Sequence, residues 1–185
     1  MIERFKGSPS EFHTVGCDYR KKIEEAGLQI NRNGNLTCQQ IICDTLIEQL
    51  DIIKSMPNGN YITDRSPIDA YAYSVYLMRH NPDSGVTQKD LDNMLIKVCN
   101  SISEYDKIIY IDLATCENVK VVDDHFRDTN LEYRTEIDSI FKETFALIGD
   151  DILHNRLCSS INGNRNERIE KFVELFKDNF VCHLN

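Results

Sequence analysis

The sequence predicts an α/β protein with a mostly parallel sheet, and three observations carry that expectation. Strand-like and helix-like segments alternate along the chain, the order that gives parallel strands covered by helices. Lys107-Ile108-Ile109-Tyr110-Ile111-Asp112-Leu113 is a nearly continuous apolar run, as expected of a strand covered on both faces. The stretch from Tyr61 to Tyr71 passes from three β-formers, Tyr61, Ile62 and Thr63, through the charged pair Asp64-Arg65 straight into a helix start. There Ser66 suits the N-cap and Pro67 the first helical position, while Asp69 places a carboxylate near the positive end of the helix.

A chain of 185 residues fits one domain, large enough to bury roughly two-thirds of its unfolded surface. Its 41% hydrophobic and 28% charged residues are ordinary for a globular protein in water. The net charge of -9 argues against a nucleic-acid partner, which needs a basic footprint. It leaves room for a nucleotide pocket, which needs only a few local positive charges. No run nears the ~20 apolar residues of a membrane span, and no basic-then-apolar signal segment is legible. The expectation is a cytoplasmic protein with no membrane partner. The seven cysteines, at positions 17, 38, 43, 99, 116, 158 and 182, form no CxxC pair. His13, His80, His125, His154 and His183 are scattered too, so neither a zinc site nor a disulfide framework is readable. An odd number of isolated cysteines suits reduced thiols.

Taken in order, residues 1–16 hold Gly7, Ser8, Pro9, Ser10 and Gly16 but no apolar run long enough for a central strand. A helix is expected over 18–26, stopped by Gly27, with Arg20, Lys21 and Lys22 on a solvated face. After the loop from Asn31 to Asn35, Thr37 with Gln40 reads as a capping box. It opens a helix whose core stripe is Ile41, Ile42, Leu46, Ile47, Leu50 and Ile53. The turn Pro57-Asn58-Gly59-Asn60 leads into the strand at Tyr61, and the next helix buries Ile68, Tyr71, Ala72, Val75 and Tyr76. Residues 81–85 are a loop by composition. Thr87 with Asp90 then caps a helix burying Leu91, Met94, Leu95, Val98 and Ile102. Val119 to Val122 is short and β-prone, and a polar loop runs on to Asp128. A helix over 129–147, ended by Gly149, turns Leu131, Ile137, Ile140, Phe141 and Phe145 inward. Arg156 to Ile161 reads as a last strand, then comes the turn Asn162-Gly163-Asn164 and a helix carrying Ile169, Phe172, Val173 and Phe176.

Asp64 and Arg65 are the first candidates for chemistry. They stand where a strand of an open α/β sheet stops, the edge at which such sheets bind ligands. A guanidinium fixed there offers a planar fork suited to phosphate. The competing reading is a plain ion pair at a helix start.

Further stretches add to this pair. They are Tyr19-Arg20 with Glu24-Glu25-Ala26-Gly27 and Ile30-Asn31, then Gln39-Gln40-Ile41-Ile42, then Asp64-Arg65-Ser66 with Asp69 and Tyr71. Later come Asp123-Asp124-His125-Phe126-Arg127 with Tyr133-Arg134 and Ile137-Asp138, and last Ile161-Asn162-Gly163-Asn164 with Glu167-Arg168. In this order and spacing the chain resembles the P-loop nucleoside and nucleotide kinases, from about residue 17 onward. The likeness is nearest to the phage and bacterial kinase-like ATPases similar to the nicotinamide-riboside kinase domain and to thymidylate kinase.

That resemblance implies a three-layer α/β/α fold and assigns roles. Asp64 would bind the acceptor hydroxyl or hold Mg²⁺ through water, and Arg65 would clamp a phosphate. Arg127 and Arg134, on a lid over approximately 117–135, would close over the phosphates. Arg20, Gln39, Gln40, Asp69 and Tyr71 fall on the substrate side, where a glutamine can pair with a base edge. Asn162 and Gly163 fall on the loop over the adenine. A nucleoside or nucleoside monophosphate is the implied ligand, with Mg²⁺ accompanying a nucleotide as the implied cofactor. Each has a plainer alternative: surface ion pairing for Arg127 and Arg134, capping and solvation for Gln39 and Gln40.

The chain departs from this family at its defining motif. GxxxxGK[ST], whose backbone N–H groups, lysine and hydroxyl hold phosphates and Mg²⁺, is missing from the sequence. Gly7-Ser8-Pro9-Ser10 is the nearest glycine-containing loop, and Pro9 removes an N–H a cradle would use. His125 stands where the lid usually has glycine. The expectation is a kinase-like protein whose first strand and phosphate loop are absent or degenerate, either shortened or begun downstream of its natural start. Its phosphotransfer would be impaired because most of the electrostatic stabilisation is gone. An open strand edge would invite a homodimer or a protein partner. The alternative is a non-catalytic interaction module, of the phage regulator or inhibitor type. A third reading is an active kinase with an unusual phosphate loop.

Overall fold

The computed structural model describes residues 12–113, 128–153, 156–158 and 161–176. The chain is mixed α/β and mostly helical, with short parallel strands. Strand β1 (Phe12–Val15) leads into helix α1 (Tyr19–Glu25), and α2 (Leu36–Ser55) comes next. Strand β2 (Asn60–Thr63) leads directly into α3 (Pro67–His80), and α4 (Gln88–Ile102) precedes strand β3 (Ile108–Ile109). The remaining elements are α5 (Leu131–Ile148), α6 (Asp150–Leu153), β4 (Leu157–Cys158) and α7 (Arg165–Leu175).

Among the described residues the strands form two parallel pairs. β1 runs beside β2 with Phe12 opposite Asn60 and Val15 opposite Thr63, and β3 runs beside β4. Residues 1–16, expected to hold no central strand and at most a degenerate first one, do contain the four-residue strand Phe12–Val15. Phe12 alone is fully buried there, while His13 and Thr14 are exposed, so the signal was one apolar residue rather than a run. The expected strand over 107–113 also shrinks to two residues. Beyond it the Tyr110 hydroxyl and the Leu113 N–H donate to Asp138 Oδ1, at 2.5 and 3.0 Å, instead of extending a ladder. Ile111 is left 41% exposed.

Helix α3 is the centre of the core. Ile68, Ala70, Tyr71, Ala72, Val75, Tyr76 and Leu77 are all buried, so the helix is covered around most of its circumference, as befits one packed between other helices. Its neighbours are α2, α4 and α5. The start is fixed as the sequence predicts: Ser66 and Asp69 form a reciprocal capping box after which Pro67 enters the helix. Thr87 and Asp90 do the same for α4. At α2 the cap is Asn35 rather than Thr37. The Asn35 side chain accepts the Cys38 N–H at 2.9 Å, in keeping with the stronger capping preference of asparagine. Leu131, expected inward, is 67% exposed at the start of α5, where Tyr133 rather than Leu131 faces the core.

A smaller cluster of Phe12, Ile161 and Phe172 joins the strands to α7, with Ile62 of β2 and Ile109 of β3 packed against it. Phe12 meets Phe172 edge-on with centroids 5.5 Å apart. Among the described residues no helix is long and apolar enough to cross a membrane. Cys38 and Cys43 are buried in α2, and burial pushes both thiols up to about 11, so they stay protonated and serve as packing.

Candidate functional site

Because β1 and β2 are parallel and in register, their carboxyl ends lie together, and the segments leaving the two strands meet at one edge. Tyr19 and Arg20 open α1 just after β1, and Arg65 sits between β2 and α3. A cavity of about 400 Å³ forms there, within the range of small-molecule sites. Tyr110, Ile111 and Leu113, just past β3, complete its wall together with α2 and α5.

Five of the expected residues converge on this cavity. Arg20, Gln39, Arg65, Asp69 and Arg134 all line it, although they come from four different helices and a strand end. Arg168 of α7 joins them. Four guanidinium groups therefore face one space in a chain whose net charge is -9. Three carboxylates also line it, and each is engaged. Asp69 Oδ1 accepts from Arg65 Nη1 at 2.6 Å while its Oδ2 accepts the Ser66 N–H at 3.2 Å. Asp128 Oδ2 accepts from Arg32 Nε at 2.6 Å. Asp138 accepts from Tyr110, Leu113 and, at 2.8 Å, Lys142 Nζ.

The Arg65–Asp69 pair shows how the fold aims a cation. Asp69 is locked by the capping box and in turn holds the guanidinium by one of its nitrogens. The Asp69 carboxylate raises the Arg65 guanidinium above its already high ordinary value, so it stays charged at every pH the fold survives. Its remaining N–H donors keep the fork geometry that suits a phosphate oxygen.

Five aromatic rings line the cavity as well, Tyr19, Tyr73, Tyr110, Tyr133 and Phe141, beside aliphatic side chains such as Ile42, Leu46 and Ile137. Burial raises the phenols of Tyr73, Tyr110 and Tyr133, so they remain protonated donors. Two lining residues hold a buried polar atom with no hydrogen-bond partner among the described residues, Gln39 at Oε1 and Tyr133 at its hydroxyl. Buried polar groups are nearly always paired, and leaving one unpaired costs about 1–3 kcal/mol. A wall of faces for stacking, four cations and two unsatisfied polar side chains can hold a flat anion that carries hydrogen-bonding edges.

The other expected site residues stand apart. Asp64 is exposed at the end of β2 and is no part of the cavity lining. Gln40 is exposed on α2, one residue round the helix from buried Gln39. Tyr71 is buried on the α4 side of α3, where burial and then the Asp92 carboxylate raise its phenol. Asn162 and Gly163 form the turn before α7, where Lys171 Nζ donates to the Asn162 side chain and Gly163 adopts a φ of 98°. Arg127, His125 and the acidic residues before it lie outside the described residues, as do most of the expected lid and Gly7-Ser8-Pro9-Ser10. Sequence reasoning misses Arg168, Tyr73 and Tyr133 as site residues. Arg168 and Tyr133 carry a signal, since both fall in the kinase-like stretches, whereas Tyr73 carries none.

The carboxylates do not fit a resident Mg²⁺. Among the described residues no three His, Cys, Asp or Glu side chains group to hold a metal, and those lining the cavity are already bonded to cations or donors. Comparison of the chain with protein-family models, with curated proteins and with solved structures finds no match.

Proposed function

We propose that the cavity binds a nucleoside monophosphate, and that the chain is a nucleotide-kinase-like protein that keeps an acceptor side without a phosphate cradle. The observation that supports this most is the convergence of Arg20, Gln39, Arg65, Asp69 and Arg134 on one cavity. These residues share a likeness to a kinase substrate side, and they are far apart in sequence. In this reading the base stacks on the tyrosine wall with Gln39 at its edge. The phosphate takes the guanidinium of Arg65 and the charge of Arg20, Arg134 and Arg168. Phosphoryl transfer needs charge neutralisation around the migrating group. The turn from β1 to α1 is Gly16-Cys17-Asp18, with one glycine and no lysine, and Asp64 does not line the cavity, so the reading is of a binder with impaired catalysis.

Thermal shift with the ribo- and deoxynucleoside monophosphates, each with and without Mg²⁺, tests it. A ligand at a hundred times its Kd should stabilise by about 2.7 kcal/mol, a rise of several degrees in Tm. Arg65→Ala should remove the shift while leaving the ligand-free Tm within a degree or two, since that side chain is 39% exposed. A shift with ATP and Mg²⁺ that Asp64→Asn abolishes would replace this reading with an active kinase.

One observation favours a second reading, a protein-interaction module. Each strand pair is only two strands wide among the described residues, and two-stranded ribbons are marginal alone. β2 and β3 each have an edge without a strand partner there, which a second copy or another protein could cover. A monomer by light scattering at micromolar concentration, together with a monophosphate shift, would sink it.

A further inference from the structure

A second cleft of about 960 Å³ opens beside the cavity, and Arg20, Ile30, Asn31 and Asp128 line both. Its wall is of another kind. Four amide side chains contribute, Gln29, Asn31, Asn33 and Asn81, the last bonded to Arg32 O and the Asp83 N–H, with Thr129 close by. Its charges oppose one another, Arg20 and Arg32 against Glu24 and Asp128, and Arg32 is bonded to Asp128 at 2.6 Å. The guanidinium of Arg32 also lies 5.6 Å from the ring of Tyr133, a lining residue of the inner cavity. Asn31 has a φ of 57°, the one left-handed non-glycine among the described residues. It occupies the wall common to the two spaces, and such conformations gather at ligand sites.

We propose that this cleft is a second subsite of the same binding site. It would take an uncharged polyhydroxyl group, a ribosyl or hexosyl unit, joined through phosphate to the nucleotide in the inner cavity. The inference rests on the nucleotide reading of that inner cavity. An amide offers both a donor and an acceptor, the combination that neighbouring hydroxyls require, and a cleft of balanced charge gives a further phosphate no advantage. Arg20 lies in the wall shared by both spaces, where a bridging phosphate would pass from the arginine-lined cavity to the amide-lined cleft.

Calorimetric titration of the whole chain tests this with one base, the one whose monophosphate stabilises most. The ligands are its monophosphate, its diphosphate, its diphosphate-ribose and its diphosphate-glucose. At least one sugar conjugate is expected to bind about tenfold or more tightly than the diphosphate, and the two conjugates distinguish ribosyl from hexosyl. The double variant Gln29→Ala/Asn33→Ala alters two exposed residues of the outer cleft only. It should erase that gain and leave the monophosphate affinity unchanged, which also shows that the variant is folded. Conjugates no tighter than the diphosphate, or a gain that survives the double variant, overturn the subsite while the monophosphate reading stands. Failure of every monophosphate to bind overturns the reading beneath it, and the subsite with it.

Discussion

The interior around α3 and the wall of the cavity share elements but treat polar groups differently. Around α3 the hydroxyls of Ser74, Ser101 and Thr144 are paired within their own helices, while the Tyr105 hydroxyl is buried without a partner among the described residues. Ser74 donates to Ala70 O at 2.7 Å, Ser101 to Val98 O at 2.8 Å and Thr144 to Ile140 O at 2.7 Å. At the cavity, Gln39 and Tyr133 are buried with an atom unpaired, and the Asp69 and Asp128 carboxylates hold arginine side chains in place, Asp69 while also capping α3. A self-sufficient interior serves stability alone. In the proposed reading, the unmet hydrogen-bonding capacity of the wall is completed by the nucleotide.

The largest effect should come from the self-sufficient side. Ile102 is fully buried in α4, remote from the cavity lining. Ile102→Ala should cost about 2–5 kcal/mol of stability, read as a lower urea midpoint, with monophosphate affinity unchanged. A variant of that kind that also lost binding would mean the two regions are not separable.

A smaller effect is expected at Asp138, which ties the segment after β3 to α5. Burial raises its carboxyl, but hydrogen bonds from Lys142, Tyr110 and the Leu113 N–H outweigh that and hold it below the ordinary value. A carboxyl lower in the folded than in the unfolded chain contributes stability above its unfolded value, about 3.9. That contribution is lost as pH falls through the folded value. Stability should therefore drop below about pH 4. Asp138→Asn should be less stable by about 1 kcal/mol at pH 7 and should show a shallower loss in acid. Parallel acid slopes for the two proteins would remove Asp138 from that role.

How far the sequence reaches differs between the same two regions. Helix starts are legible where capping chemistry is local: Ser66-Pro67 with Asp69, and Thr87 with Asp90, fold as they read. So is the inward face of α3. The strands are not, because pairing is a long-range event. Phe12–Val15 has one buried side chain and finds its partner some fifty residues later, while the apolar run at 107–113 is diverted by Asp138. At the site, Arg65 and Asp69 are legible from position alone. The choice of Gln39 over Gln40 is not. Two adjacent glutamines differ only in which face of α2 meets the core, and that is decided by tertiary packing, which buries Gln39 with Cys38, Cys43, Leu46 and Leu50.

Gln39 gives the sharpest test, and the smallest expected change in stability. Its side chain is 1% exposed and its Oε1 is unpaired, so Gln39→Leu removes an unmet carbonyl and inserts an apolar group of similar size. Stability should change by no more than about 1 kcal/mol, in either direction. Gln49, ten residues along the same helix and also buried, is the control. Its Oε1 is unpaired as well, but its Nε2 donates to Val15 O at 2.6 Å, so Gln49→Leu orphans a strand carbonyl and should cost about 1–3 kcal/mol. If Gln39 belongs to a binding wall, Gln39→Leu should weaken the monophosphate about fivefold or more at little structural cost. Gln49→Leu should do the reverse, lowering Tm and leaving affinity alone. Equal losses of stability at both positions, with binding untouched, would make Gln39 another core residue and return the cavity wall to packing.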